Sequence, residues 1–237
     1  MKHQPRVTVV TVTYNALDAL SKTMRSVEAQ DYANIEYIIV DGASSDATPS
    51  MLAQYHGRLD RWVSEKDRGI YDAMNKGVKM STGEYVIFMN AGDTFVGSDT
   101  VSRVFAEAAE ADVIYGDIMK NGMRKRSLSP RNCHKMYYCH QAAFTRRECL
   151  LGMPFDVSHR FSADFKQAKE MFLAGKTFSY VDVAVADFDT SGVSNVNRSQ
   201  GLWDNVKVVC ETDSFINRMR FLPHLLFPFI ICKIRGK

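Results

Sequence analysis

From residue 7 onward, short β-rich runs alternate with stretches whose apolar residues recur at helical spacing, and the early β runs stop at polar or acidic residues. That alternation constrains the fold most, because each helix has one apolar face to bury and parallel strands need a crossover between them. The first run, Val7 to Thr13, leads into a helix carrying Leu17, Leu20, Met24 and Val27 on one face, with Asn15 placed to cap it. A second run at 35–40 ends at Asp41, a polar turn fills 42–46, and Thr48 with Pro49 opens another helix. Next come a short strand at 61–63, a turn at 66–69 and a helix with Ile70, Met74 and Val78 on one face. The hydrophobic strand at 85–89 then stops at Asn90-Ala91-Gly92-Asp93. Beyond it the pattern predicts a strand at 113–115, a hairpin at 117–126 centred on Asn121-Gly122, a strand at 141–144, a helix from Ala163 to Leu173 closed by Gly175, and a β-rich run at 178–185. The expected fold is α/β: a mixed, mostly parallel, Rossmann-like sheet flanked by helices.

In an open α/β sheet, ligands collect at the carboxyl ends of the strands, which is where Asn15, Asp41 and Asp93 fall. No G-x-G-x-x-G follows the first strand and no G-x-x-x-x-G-K-[ST] occurs anywhere, so neither glycine-rich phosphate device is in use. A carboxylate-held divalent cation is the alternative way to manage a diphosphate, and Asp93 is placed for it. Taken singly each acid has a plainer role: Asp41 suits an Asx-turn, and Asp93 a loop. With 46% hydrophobic residues in a 237-residue chain there is ample core, while a net charge of +3 is too small to argue for nucleic acid. Five scattered cysteines without a Cys-x-x-Cys pair suit a reducing cytoplasm, as does an N-terminus lacking the apolar stretch of a signal peptide. Cys133-His134 and Cys139-His140 match no standard zinc spacing.

Four ordered segments carry a resemblance. Residues 9–15 (VVTVTYN), 40–48 (VDGASSDAT), 67–77 (DRGIYDAMNKG) and 88–93 (FMNAGD) resemble the family 2 glycosyltransferases with a GT-A fold, and the likeness continues more loosely through His140-Gln141 and Ser162-Ala163-Asp164. The resemblance implies inverting transfer from a nucleotide sugar, with Mg²⁺ or Mn²⁺ as cofactor, Asp93 at the metal, Asp41 at the nucleotide base and Asp164 as general base. It assigns Thr13, Tyr14, Asn15, Arg68, Asp72, Asn75, Lys76, Asn90 and Ala91 to the donor as well, and His140 and Gln141 to the acceptor. Two departures stand out. The usual Asp-x-Asp region reads Asn90-Ala91-Gly92-Asp93, and the frequent Ala-Arg-Asn-x-Gly reads Ala73-Met74-Asn75-Lys76-Gly77, where Lys76 or Arg68 would replace the missing cation. Variants of the first kind occur in family members of extracellular polysaccharide pathways, which implies capsule, O-antigen or exopolysaccharide as the product; a UDP-sugar donor and a lipid-linked oligosaccharide acceptor are the accompanying expectations.

The implied organisation is a GT-A domain over 1–215, with a donor half at 1–95 and an acceptor half at 96–215, then a C-terminal segment at 216–237. Its apolar stretch at 221–232 is broken by Pro223 and Pro228 and flanked by Arg218, Arg220, Lys233, Arg235 and Lys237. It is too short to span a bilayer and reads as an interfacial anchor on an anionic membrane, placing the enzyme peripherally on the inner face of the cytoplasmic membrane. The alternative is packing on the domain or on a second copy, which would make a homo-oligomer. Tyr137, Tyr138 and Trp203 could stack on sugars, but aromatic residues usually sit in the core. Competing functions are a transferase with a soluble or protein acceptor and a degenerate, non-catalytic nucleotide-sugar-binding module. A nucleotidyltransferase would carry a glycine-rich basic loop where Thr13-Tyr14-Asn15-Ala16 stands.

Overall fold

The computed structural model describes residues 4–190 and 198–234; Arg235 and Lys237 of the basic cluster lie outside the described residues. Strands β1 (Val7–Thr13) and β2 (Ile35–Asp41) are buried along their whole length, as β-branched-rich strands covered on both faces should be. They pair in parallel from Val7 against Ile35 to Thr13 against Asp41, so their carboxyl ends lie side by side. β3 (Arg61–Ser64) extends the parallel set beyond β2, and β4 (Tyr85–Phe88) flanks β1 on the other side.

The direction then changes. β8 (Ala143–Arg146) runs antiparallel to β4 and to β6 (Val113–Lys120), while β9 (Phe178–Asp187) is parallel to β6 and antiparallel to β5 (Thr94–Phe95). β7 (Met123–Lys125) folds back on β6 through Asn121 and Gly122, whose φ values of 52° and 72° make the tight hairpin expected from Asn-Gly. The sheet order is β3-β2-β1-β4-β8-β6-β9-β5, with β7 paired to β6.

Helices cover both faces: α1 (Leu17–Glu28), α2 (Thr48–Ala53), α3 (Ile70–Met80), α4 (Thr100–Glu107), α5 (Arg147–Gly152) and α6 (Ala163–Leu173), followed by α7 (Arg198–Thr212) and α8 (Phe215–Ile234). The strand period of two sorts the core. Val7 and Val9 of β1 join Leu20, Met24 and Val27 of α1 in one cluster, whereas Val10 and Val12 join Met74 and Val78 of α3 in the other.

Several expectations need correction. Asn15 does not cap α1, whose N-cap is Ala16 with no side-chain bond, because the Asn15 side chain is engaged elsewhere. The strand placed at 141–144 begins at Ala143, after a 3-10 turn at His140–Ala142. Trp203 is 45% exposed, whereas Tyr137 and Tyr138 are buried.

The largest departure is α8, a continuous 20-residue helix through both Pro223 and Pro228. Each proline removes one backbone bond, and packing against α7 compensates: Phe221 and Leu225 bury against Val206 and Val209. At 1.5 Å per residue the helix is about 30 Å long, enough by length and composition to cross a bilayer. One face is already taken by α7, and Phe215, Ile216, Met219, Phe227, Ile230 and Ile234 project from the rest.

Candidate functional site

The carboxyl ends of β1 and β2 open one side of a cleft. Asp41 is fully buried, and its carboxylate accepts from the Ser44 amide (3.0 Å), the Ser64 hydroxyl (2.5 Å) and the Ser44 hydroxyl. It therefore shapes the 42–46 loop as an Asx-turn residue would. Asn15, at φ 48°, accepts from the Ser45 amide at 2.8 Å and ties the β1 loop to the β2 loop. Beside them Tyr14 is 64% exposed, and a Cβ on Gly42 would meet both the Asp67 carboxylate and the Tyr14 ring, so these three residues converge. Thr13 Oγ is buried without a partner among the described residues.

The turn before α3 adds Arg68, paired to Asp72 at 3.1 Å with its guanidinium side chain 74% exposed. Lys76 is held by the Lys66 carbonyl at 2.7 Å and by Glu65 at 2.9 Å. Asn75 has both ends of its amide on the Phe155 backbone, at 2.8 and 3.0 Å, which fixes the 153–156 loop to α3.

The other side of the cleft lies after β4. Asp93 is 4% exposed and accepts from Gln141 Nε2 at 3.0 Å and from the Asp189 amide at 2.9 Å. Burial pushes its carboxyl above the ordinary value, against the pull of those two donors. Gly92 holds φ at 105°, and the Asp189 carboxylate lies where its Cβ would be, so a second acid meets the motif. Ala91 contributes only its backbone, through an amide bonded to the Val12 carbonyl at 3.1 Å.

Asn90 begins a polar relay. Its Nδ2 lies 3.3 Å from His140 Nε2, His140 Nδ1 lies 3.2 Å from Asp164, and the Tyr71 hydroxyl donates to Asp164 at 2.9 Å. With Asn90 Nδ2 as donor, His140 carries its proton on Nδ1 and donates it to Asp164. Burial pushes the Asp164 carboxyl up, but His140 and Tyr71 more than reverse this and hold it below the ordinary carboxylate range. Asp164 sits in the first turn of α6, yet the N-cap is Ser162 and the carboxylate faces the cleft at 20% exposure.

The donor set fits a hard divalent cation. Asn90 Oδ1 is buried with no hydrogen-bond partner, and Asp93 and Asp189 stand next to it in sequence or space. Amide and carboxylate oxygens are what Mg²⁺ or Mn²⁺ takes, and Asp93 retains lone pairs beyond its two donors. A different cluster, Asp156, His159 and Glu211, brings three potential ligands within 4.8 Å. There the Lys166 ammonium already bridges Asp156 and Glu211 at 2.6 and 2.7 Å, so a cation of the protein's own fills that role.

Sequence reasoning missed Asp189 and Tyr71. Asp189 follows β9 and reaches Asp93 only because β9 pairs with β5, a contact across 96 residues. Tyr71 lies on the apolar-looking face of α3, and no local signal marks its hydroxyl.

The sequence pattern of glycosyl transferase family 2 matches residues 8–172. The chain belongs to this family. A PGL/p-HBAD biosynthesis glycosyltransferase of Mycobacterium bovis is 30% identical over 205 residues, covering 81% of this chain and 80% of that protein. The succinoglycan biosynthesis protein ExoO of Rhizobium meliloti is 30% identical over 127 residues, 52% of this chain and 36% of its own length. Relatives of this glycosyltransferase are thus named for PGL/p-HBAD biosynthesis and for succinoglycan biosynthesis.

Solved structures share the fold. Residues 1–349 of S. aureus TarS in complex with UDP superpose with a TM-score of 0.65 at 18% identity, covering 95% of this chain and 70% of that one. The mannosyltransferase PcManGT of Pyrobaculum calidifontis, in complex with GDP-Man and Mn²⁺, gives 0.69 at 21% identity, covering 88% and 64%. The architecture is GT-A.

Proposed function

We propose that this family 2 glycosyltransferase moves one sugar, with inversion, from a nucleotide-sugar donor to a lipid-linked glycan acceptor in the assembly of a bacterial cell-surface polysaccharide. A UDP-sugar is the favoured donor. The relay of Tyr71, Asp164, His140 and Asn90 carries this reading, because it holds a partly buried, oriented carboxylate in the same cleft as the Asn90-to-Asp93 motif.

On this reading Thr13, Tyr14, Asn15, Asp41 and Asp67 frame the nucleoside, and Arg68 reaches its phosphates. Asp93, Asp189 and the free Asn90 Oδ1 would hold Mg²⁺ or Mn²⁺, whose charge supports departure of the nucleotide diphosphate. Asp164 accepts the proton of the acceptor hydroxyl, which attacks the anomeric carbon from the face opposite the leaving group. The hydrogen bonds from His140 and Tyr71 keep Asp164 ionised and fix its direction, while Gln141 holds Asp93 in place. Complexes of neighbouring folds with UDP and with GDP-Man and Mn²⁺ support a nucleotide-sugar donor and a divalent cation.

The test is nucleotide release from a panel of UDP- and GDP-sugars, with Mn²⁺ or EDTA, with and without lipid-linked acceptor. Release with one donor, abolished by EDTA and lost in Asp164→Asn, is the expected result. Donor binding without any turnover would instead identify a non-catalytic nucleotide-sugar-binding module.

A further inference from the structure

A cavity of about 380 Å³ lies outside the cleft, between the 158–161 loop, α7 and α8. That volume is at the lower end of the roughly 300–1,000 Å³ usual for small-ligand pockets. Three cations line it: Arg160, Lys207 and Lys233. Among the described residues neither Arg160 nor Lys233 has a carboxylate partner, and Lys207 has only a loose contact of 3.7 Å with Asp204. Asp204 also lines the pocket, but its carboxylate is engaged by His159 Nδ1 at 3.1 Å and by the Phe161 amide at 2.9 Å. The pocket is therefore cationic.

It is also half apolar. Trp203 and Phe229 pack with ring centroids 5.2 Å apart, and the indole stays 45% exposed. An exposed tryptophan beside lysines, on the helix pair that presents Phe227, Ile230 and Ile234 to its surroundings, suits a ligand with an anionic head and a hydrocarbon tail.

We infer that this pocket binds the diphosphate of an isoprenoid lipid carrier, anchoring the acceptor next to the reaction centre. The inference deepens the lipid-linked-acceptor reading above and rests on it. Two observations favour a carrier diphosphate over bulk headgroups. The three cations converge in a concavity, where a flat basic face would serve a bilayer surface equally well. The wall of the pocket also runs directly into the site: Phe161 lines it, and Asp164 is three residues further on, at most about 11 Å away between Cα atoms. A carrier held there delivers its sugar towards Asp164.

The experiment uses the full chain with Trp62→Phe, which leaves Trp203 as the sole indole. Phosphatidylcholine vesicles doped with polyprenyl diphosphate should shift Trp203 emission to the blue and protect it from an aqueous quencher, relative to undoped vesicles. Lys207→Glu with Lys233→Glu should weaken that response at least about tenfold, and Lys207→Arg should retain it. With lipid-linked acceptor, the double variant should raise acceptor KM while leaving kcat and donor KM unchanged.

An equal response to vesicles doped with phosphatidylglycerol would make the pocket a general headgroup site and overturn the inference. A response to inorganic diphosphate as strong as that to the lipid would overturn it too, as would binding indifferent to the two charge reversals. Nucleotide release without acceptor tests the glycosyltransferase reading separately. Lipid-dependent Trp203 shifts in a protein that never turns over donor would keep the pocket and remove only that reading.

Discussion

At the scale of single residues, the candidate site is a buried carboxylate, Asp93, and a partly buried one, Asp164, pushed in opposite directions. Asp164 is held below the ordinary range by His140 and Tyr71, whereas burial raises Asp93. Asp164→Asn should therefore fold normally and bind donor while kcat falls at least about a hundredfold, a typical loss for a general base. In the wild type the acid limb of kcat against pH should lie below the usual Asp value of about 3.9. Removing the imidazole takes away the strongest pull against desolvation and leaves only the Tyr71 hydroxyl and the Phe165 amide to oppose it, so His140→Gln should move that limb upward; an unmoved limb would assign the base elsewhere. Asp93 predicts the reverse behaviour. A carboxyl raised by burial weakens the fold when ionised, so Asp93→Asn should hold its metal-free melting temperature within about 2 °C, yet lose any increase that Mn²⁺ gives the wild type. A mutant that keeps both the Mn²⁺ shift and turnover would remove Asp93 from the metal site. These two acids were legible as strand-end and helix-start residues. Their partners Asp189 and Tyr71 were not, because one arrives by long-range strand pairing and the other looks like a core aromatic.

At the scale of elements, the early strands and the Asn-Gly hairpin were readable because β1 is an unbroken Val/Thr run, β2 is rich in Ile and Val up to Asp41, and the turn chemistry is local. The C-terminal helix was not. Proline signals a break when only the chain is considered, and here packing on α7 outweighs the two lost backbone bonds. That correction changes how membrane docking must be tested. Deleting residues from 221 onward would uncover Val206 and Val209 and confuse binding with unfolding. Phe227→Asp with Ile230→Asp alters only exposed positions, 70% and 54% accessible, and should abolish binding to anionic vesicles with little change in melting temperature. Unchanged vesicle binding would leave α8 as a packing helix. The same element carries a pH dependence. His134 and His224 stack 4.9 Å apart, and burial, then the nearby His224 and lysines, lower the His134 pKa. A histidine lowered in the fold binds fewer protons folded than unfolded, so its contribution to stability is present above about 6.5 and is lost as pH falls through that value. His134→Phe should flatten the decline in melting temperature between pH 7 and 5, roughly the window of histidine titration.

Over the whole molecule, two kinds of cohesion divide the work. The sheet and α1 to α6 share the two large apolar clusters, whereas α7 and α8 have a small cluster of their own and join the body largely through polar contacts. His159 of the body meets Asp204 and Glu211 of α7, Lys166 meets Glu211, and Asn132 meets Asp213. At the centre Lys169 of α6 is fully buried, 2.7 Å from the equally buried Asp213 and 2.8 Å from the Cys133 carbonyl, with the Phe221 ring 5.0 Å away. A buried pair of this sort contributes little beyond what an apolar pair of similar volume would, yet removing one partner strands the other charge. Lys169→Met should therefore cost about 3–5 kcal/mol, and Lys169→Met with Asp213→Leu should recover most of it. Because the pair joins α6 to the α7–α8 layer, the loss should begin in that layer. Hydrogen exchange in the single variant is expected to speed up first across α7 and α8, while β1, β2 and β4 stay protected. Uniform acceleration through the sheet would show that the C-terminal layer and the GT-A core unfold as one unit. Early opening of the layer would instead mean that Asp164, on the same helix as Lys169, loses its acceptor-side wall before the donor cleft is disturbed.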